Sequence, residues 1–263
     1  MADSSIKIGV AGALGRMGRT VAAIADARAG MHLAALFDRP GMEGQVVSGV
    51  TLGSREAALE ASDVIIDFTI GPASAELARA CASRGGPALV IGSTAFTEAD
   101  EAAVAQAAER IAIVKSGNFS LGVNVLLALV AQAARVLNAQ DFDIEVYEAH
   151  HRRKVDAPSG TALMLGQAAA EGRDGDFKAL QVRARDGLTG PREAGAIGFS
   201  VARGGGVVGE HSVMFAGEEE ILTLSHSARD RGLFARGAVQ AAAWVAGRAP
   251  GLYDMQDVLG MKG

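Results

Sequence analysis

The chain has 263 residues, enough for two modest domains or one large one with a well-buried core. With 49% apolar and 21% charged residues it is globular in composition, and a formal net charge of -5 excludes the broad basic surface that a nucleic-acid partner requires. Cys81 is the lone cysteine, so an internal disulfide is excluded and no oxidising compartment is called for.

The first half alternates short apolar runs with helical stretches. Ile6–Ala11 is expected to be a strand and Gly15–Arg28 a helix. No secretory leader is expected, because the chain enters that first strand almost at once. His32–Phe37 is a second strand, followed by a glycine-containing loop. Then come strand Asp63–Phe68, helix Pro72–Arg84, strand Ala88–Ile91, helix Thr97–Glu109 and strand Ile111–Val114. Short apolar strands without alternation are buried on both faces, so a doubly wound, Rossmann-like parallel sheet with covering helices is expected.

The pattern changes near Ser120. Leu121–Leu137 is apolar but holds Asn124, Gln132 and Arg135, so a buried helix is expected rather than a membrane span. Phe142–Ala149 alternates as a strand, and Thr161–Glu171 is helical. Ile197–Arg203, Gly206–Ala216 and Glu219–His226 have the spacing of antiparallel hairpins, with a tight turn at Gly217-Glu218. Helix Gly232–Ala246 is expected to pack back on the first domain, since its apolar face needs a surface. The chain is therefore read as a dinucleotide-binding α/β domain (1–121 with 231–263) and a second α+β domain with a mostly antiparallel or mixed open sheet (122–230). A cytoplasmic protein with no membrane, nucleic-acid or metal partner is expected.

Gly9, Gly12, Gly15 and Gly18 surround the turn from the first strand into the first helix. Glycine there lets backbone approach a pyrophosphate at a helix N-terminus. The Gly-x-x-Gly-x-x-Gly spacing departs from the usual dinucleotide fingerprint, so a plain strand-to-helix turn is the competing reading. Asp38-Arg39 follows the second strand, where an acid would meet the adenosine ribose and an arginine a 2′-phosphate. Both are present, which leaves NADH and NADPH open. Gly92-Ser93-Thr94 and Ser116-Gly117-Asn118-Phe119 follow later strands, where ligands bind in open α/β sheets.

Glu148-Ala-His150-His151-Arg152-Arg153-Lys154 places five potential cations in a row, before Asp156-Ala-Pro158-Ser159-Gly160-Thr161 and a helix. A solvated basic loop is the bland alternative. Ser159 has the look of an N-cap, and a helix N-terminus beside histidine and lysine is a natural carboxylate pocket. Histidine is also the side chain best able to exchange protons near neutral pH.

The run from Glu148 to Thr161 resembles the signature of the dihydrodipicolinate reductase family. The resemblance covers nearly the whole chain, through Gly12–Gly18, Asp67–Thr69, Asn118–Ser120, Ile197–Phe199, Val208–His211 and Leu252–Leu259. It implies a nicotinamide-dependent reductase of diaminopimelate and lysine synthesis, acting on 4-hydroxy-tetrahydrodipicolinate with hydride delivered to ring C4. It further implies His150 as the acid–base residue and Lys154 as the proton donor, with His151, Gly160 and Thr161 on the substrate carboxylates. The implied cofactor contacts are Gly12, Ala13, Leu14, Gly15, Arg16, Met17, Asp38, Arg39, Gly92, Ser93, Thr94, Ser116, Gly117, Asn118 and Phe119. A homotetramer built through the second domain's sheet and a hinge closure bringing hydride to substrate are also implied. Ser93 stands where many relatives carry threonine, and Ser116-Gly117 where they often carry an alanine–alanine or alanine–proline pair. Arg152 and Arg153 are left without a role. Two rival readings remain in view: a semialdehyde-type dehydrogenase using Cys81 as nucleophile, and a dinucleotide-sensing module without catalysis.

Overall fold

The computed structural model describes residues 5–262, which divide into two compact units, 5–120 with 232–262 and 121–231. In the first unit, β1 (Ile6–Ala11) ends in four consecutive buried residues and pairs in parallel on both sides. A strand flanked by strands and covered above and below has no solvent face, which is why its sequence does not alternate. Helix α1 (Arg16–Ala27) leads to β2 (Met31–Phe37).

The glycine-containing loop expected after β2 holds more structure than expected. It forms a hairpin of β3 (Val46–Val47) and β4 (Val50–Thr51), then α2 (Arg55–Ala61), capped by the Ser54 hydroxyl. Two-residue strands and a seven-residue helix are too short for either periodicity to register. The rest alternates as expected: β5 (Val64–Asp67), α3 (Gly71–Arg84), β6 (Ala88–Ile91), α4 (Glu98–Ala108) and β7 (Ala112–Lys115). Helix α3 stops at Gly85, whose φ of +74° is the left-handed stop that glycine adopts without strain. Helix α4 starts on a reciprocal capping box between Thr97 and Asp100.

The second unit begins with α5 (Leu121–Val136) and β8 (Asp143–His150), followed by α6 (Gly160–Gly172), α7 (Phe177–Leu180) and β9 (Gln181–Val182). Strands β10 (Ile197–Arg203), β11 (Gly209–Ala216) and β12 (Ile221–Ala228) complete a five-stranded sheet of order β12-β11-β8-β10-β9. Strands β11 and β12 form the expected hairpin. Strand β10 does not. It pairs parallel with β8, while β11 pairs antiparallel on the other side of β8. The reason lies in the core. Ile144 and Val146 of β8 register between Ile197 and Phe199 on one side and Phe215 and Val213 on the other, so a central β8 gathers the buried apolar residues of three strands into one layer. Gly204–Gly206 carries the chain across the end of β8, where Gly204 N–H donates to the His150 carbonyl and Arg152 N–H to that of Gly205. Helices α5 and α6 pack on one face of this sheet.

The chain then returns to the first unit. Helix α8 (Gly232–Val245) packs on α1, β5, β6 and β7, as its apolar face requires. Strand β13 (Gly251–Tyr253) adds in parallel to β7, and α9 (Met255–Val258) follows. The finished sheet is all parallel, in the order β13-β7-β6-β5-β1-β2.

Candidate active site

In the first unit, the chain leaves β1 through Gly12, where φ is +72° and a Cβ would lie 3.1 Å from Thr69 Cγ2 and 3.2 Å from the Phe68 carbonyl oxygen. At Gly18 a Cβ would meet the Gly12 carbonyl oxygen at 2.1 Å, so glycine is what lets the helix close onto its own loop. Helix α1 has no side-chain cap at Gly15 and no acidic residue in its first turn. By contrast α2, α4 and α6 are capped by Ser54, Thr97 and Ser159. Its N–H groups and positive dipole end therefore remain for an anion, which fits a dinucleotide pyrophosphate.

Asp38 closes this loop from β2. Its Oδ2 accepts from Leu14 N–H at 3.0 Å and its Oδ1 from Arg39 N–H at 2.9 Å. A carboxylate has about four acceptor sites, so room remains for a ribose diol. Arg39 and Arg16 are exposed on the same unit.

The two other candidate loops use their side chains internally. Ser93 Oγ is 2.5 Å from Ser74 Oγ, in a buried chain that runs through Thr69 to Asp67. Burial pushes the Asp67 carboxyl up, against its hydrogen bonds from Ser74 and Thr69. Ser116 Oγ donates to the Asn118 carbonyl, and Asn118 Oδ1 accepts from Ser120 N–H. The Phe119 ring is buried and packs edge-on against Phe68. A Cβ at Gly92 would fall 2.3 Å from that same Phe68 ring. What these loops leave toward a ligand is backbone, together with exposed Thr94 and Gly117. Phe68 and the Asp67–Thr69–Ser74 chain were missed as site-shaping residues. The Asp-Phe-Thr triplet at the carboxyl end of β5 was the signal for them.

In the second unit, Ser159 is the N-cap of α6 as expected, accepting from Ala162 N–H at 3.2 Å, and Gly160 and Thr161 open the first turn. Glu148, on β8, is fully buried. It takes both amino groups of Arg203 at 2.7 and 2.8 Å, Ser159 N–H at 2.9 Å, and His150 Nδ1 at 2.5 Å. Burial alone would raise its carboxyl; the Arg203, His150 and Ser159 donors outweigh that and hold it below the usual carboxylate range. His211 on β11 stands edge-on to His150, 5.0 Å between ring centres, and its Nε2 lies 3.2 Å from Ser159 Oγ. Burial, then the neighbouring His150, pushes His211 down to about 4.

The row of five cations is not five free charges. His151 Nε2 lies 2.7 Å from Arg231 Nη2, and because a guanidinium only donates, that nitrogen accepts. Burial and Arg231 push the His151 imidazole down, so it is neutral there. Lys154 Nζ pairs with Asp156 at 2.8 Å. Arg152 and Arg153 are exposed. Arg203, His211 and Arg231 arrive from β10, β11 and the segment after β12, remote in sequence from the motif. Only the Val-Gly-Glu-His resemblance hinted at His211. Cys81 is buried in α3 with its thiol pushed up to about 12 by burial, which removes it as a nucleophile. Among the described residues no group of three or more His, Cys, Asp or Glu side chains is placed to hold a metal ion.

A parallel doubly wound unit with an uncapped glycine turn, joined in one chain to a unit bearing histidines and a lysine beside a capped helix start, fits a nicotinamide-dependent oxidoreductase. Family models described as dihydrodipicolinate reductase, N-terminus, and dihydrodipicolinate reductase, C-terminus, match residues 6–119 and 122–259. The chain is 61% identical to the 4-hydroxy-tetrahydrodipicolinate reductase of Caulobacter vibrioides, over 98% of both chains. It is 50% identical to that of Rhizobium rhizogenes over 99% of both. In fold it is similar to the dipicolinate-bound dihydrodipicolinate reductase of Paenisporosarcina sp. TG-14, with a TM-score of 0.75, 23% identity and 95% and 97% of the two chains covered. The chain belongs to the dihydrodipicolinate reductase family.

Proposed function

We propose that this protein reduces 4-hydroxy-tetrahydrodipicolinate to tetrahydrodipicolinate with NADH or NADPH, on the diaminopimelate route to lysine. Net, substrate, reduced cofactor and one proton give product, oxidised cofactor and water. Unit 1 binds the dinucleotide through Gly12–Met17, Asp38, Arg39 and the backbone of Gly92–Thr94 and Ser116–Phe119. Unit 2 binds the dicarboxylate. When bound, the reduced nicotinamide supplies a hydride to ring C4.

The carrying observation is that Glu148 joins His150 to the Ser159 cap of α6 in unit 2, with Lys154 in the loop that runs between them, paired with Asp156. The α6 N-terminus, with Gly160 and Thr161, holds one carboxylate through backbone donors and dipole. His151 contributes a neutral imidazole, held by Arg231, to the same carboxylate binding. Lys154 leaves Asp156 and gives the proton that quenches charge on the ring as hydride arrives, with His150 exchanging protons beside it. Steady-state kinetics with NADH and NADPH in parallel test the assignment. Turnover with substrate is expected. Intact cofactor binding without turnover would instead establish a dinucleotide sensor.

The face of the second sheet opposite α5 and α6 exposes Tyr147 and Ile221, and it is the face through which a homotetramer would assemble. A tetramer by light scattering is expected. No helix among the described residues is long and apolar enough to cross a membrane. A reductase drawing on nicotinamide cofactors works where that pool lies, in the cytoplasm.

A further inference from the structure

Glu148 is used in a way the acid–base chemistry of His150 does not by itself require. A carboxylate offers about four acceptor sites on its two oxygens. Here Oε1 takes Arg203 Nη2 and Ser159 N, while Oε2 takes Arg203 Nη1 and His150 Nδ1. Arg203 and the Ser159 amide can only donate, so the group is a fully satisfied acceptor with no proton of its own to give. Its fourth partner, His150 Nδ1, must therefore carry the hydrogen. That leaves Nε2 as the nitrogen with a lone pair.

The surroundings of Nε2 agree. A Cβ at Gly209 would lie 3.1 Å from His150 Nε2 and 3.5 Å from its Cδ2, so the absence of a side chain there keeps this edge of the ring uncovered. Gly209 is not among the positive-φ glycines, so its backbone does not demand glycine. The faces of the ring are bounded by His211, edge-on at 5.0 Å. The charged and titratable groups facing His150 are Glu148 from its own strand, the adjacent His151 and His211 from β11, with Arg203 of β10 on the same Glu148 carboxylate and Lys154 of the following loop acting on His211 and His151.

We infer that Glu148, buttressed by Arg203, is a positioning residue that locks His150 in its Nδ1–H tautomer and presents Nε2 as the proton-exchanging atom. The same carboxylate binds the amide of the α6 N-cap, so a single buried group sets the distance between the proton-exchanging imidazole and the carboxylate-binding turn. A carboxylate bonded to one ring nitrogen of a histidine fixes its tautomer and orientation, and by analogy with the carboxylate partners of metal-bound histidines its loss is expected to cost about ten- to a hundredfold. The inference rests on the reading of His150 as the acid–base group.

Two measurements test it, and they separate its failure from failure of that reading. The first needs no substitution. Imidazole ¹⁵N spectra of the intact wild-type protein at alkaline pH should show His150 Nδ1 in the protonated, pyrrole-like range and Nε2 in the unprotonated, pyridine-like range. The reverse assignment, or an even mixture, overturns the inference. The second is a cycle of Glu148→Gln, His150→Gln and the double variant, with NADPH affinity as a check on the other unit. Glu148→Gln is expected to cut kcat about ten- to a hundredfold and to displace the limb of the kcat–pH profile that His150 governs. In the His150→Gln background it should cost less than about threefold, because its partner is gone. Equal losses in both backgrounds would mean a structural role only and overturn the proposal. If His150→Gln itself leaves kcat unchanged, it is the acid–base reading that fails. Gly209→Ala leaves the Glu148 cluster whole and should still lower kcat by crowding Nε2; unaltered turnover would count against Nε2 as the exchanging atom.

Discussion

Lowering the pH should destabilise this protein before its carboxylates begin to titrate, and His211 is the reason. Its imidazole is 6% exposed, faces His150 across 5.0 Å and is pushed down to about 4, against 6.5 when unfolded. Above pH 6.5 the ring is neutral in both states and contributes no pH dependence. Between 6.5 and about 4 the unfolded chain binds a proton that the folded chain refuses, so stability falls as pH falls. Below about 4 both states are protonated and the slope vanishes. A gap of about 2.5 between the two pKa values, at about 1.4 kcal/mol per unit, amounts to roughly 3–4 kcal/mol. That is a large part of the roughly 5–15 kcal/mol that holds a typical domain together. Glu148 and Glu145 act in the same direction but only below 4.5, since both are held under that value in the fold, where burial is outweighed by Arg203 and by Arg185 respectively. His226 and His151 are also pushed down, so wild type must be compared with a variant. His211→Gln keeps an acceptor near the Nε2 position for Ser159 and removes the titration. Urea unfolding followed by circular dichroism from pH 7.5 to 4.5 should show the variant less stable at neutral pH but clearly flatter with pH. A variant as steep as wild type across that window would refute the argument.

Four further outcomes are expected. Lys154→Ala should lower kcat by orders of magnitude while NADPH affinity, read by fluorescence titration, stays within about twofold, since Lys154 lies in unit 2 and the residues proposed for the cofactor lie in unit 1. Asp38→Ala should weaken both cofactors through loss of the Leu14 N–H contact, and NADH more than NADPH; equal losses would remove Asp38 from ribose recognition. Gly18→Ala should raise the Kd for both cofactors by tenfold or more, about 1.4 kcal/mol, because the new methyl would drive the Gly12 carbonyl out of place. Ser159→Ala should cost about 1 kcal/mol of stability as a lost N-cap and raise KM more than it lowers kcat, as measured by calorimetry and initial rates.

Much of the molecule was legible from residue order alone, because the relevant physics is local. Buried parallel strands need unbroken apolar runs, so β1, β5, β6 and β7 stand out. Caps are short-range, so Ser159 could be read as the start of α6 from the residues beside it. The glycines around the first turn, the Asp38-Arg39 pair and the Glu148–Thr161 motif likewise declare themselves within a few positions. The pieces too short to show a period, β3, β4 and α2, did not.

Other features depended on partners that sequence spacing does not carry. The place of β10 beside β8 rather than β11 is a contest among core surfaces, which the hairpin-like spacing around Gly204–Gly206 conceals. A histidine's protonation follows what surrounds it, so the neutrality of His151 awaited Arg231, and the depressed His211 awaited its burial against His150. Glu148 looked like the first letter of a motif. Only when β10 and β11 close around β8 does it become a carboxylate with every acceptor site filled, because hydrogen-bond saturation belongs to three-dimensional neighbours and not to position along the chain. Residue order by itself determined which chemistry this chain carries; tertiary structure decided which atoms of those residues are free to perform it.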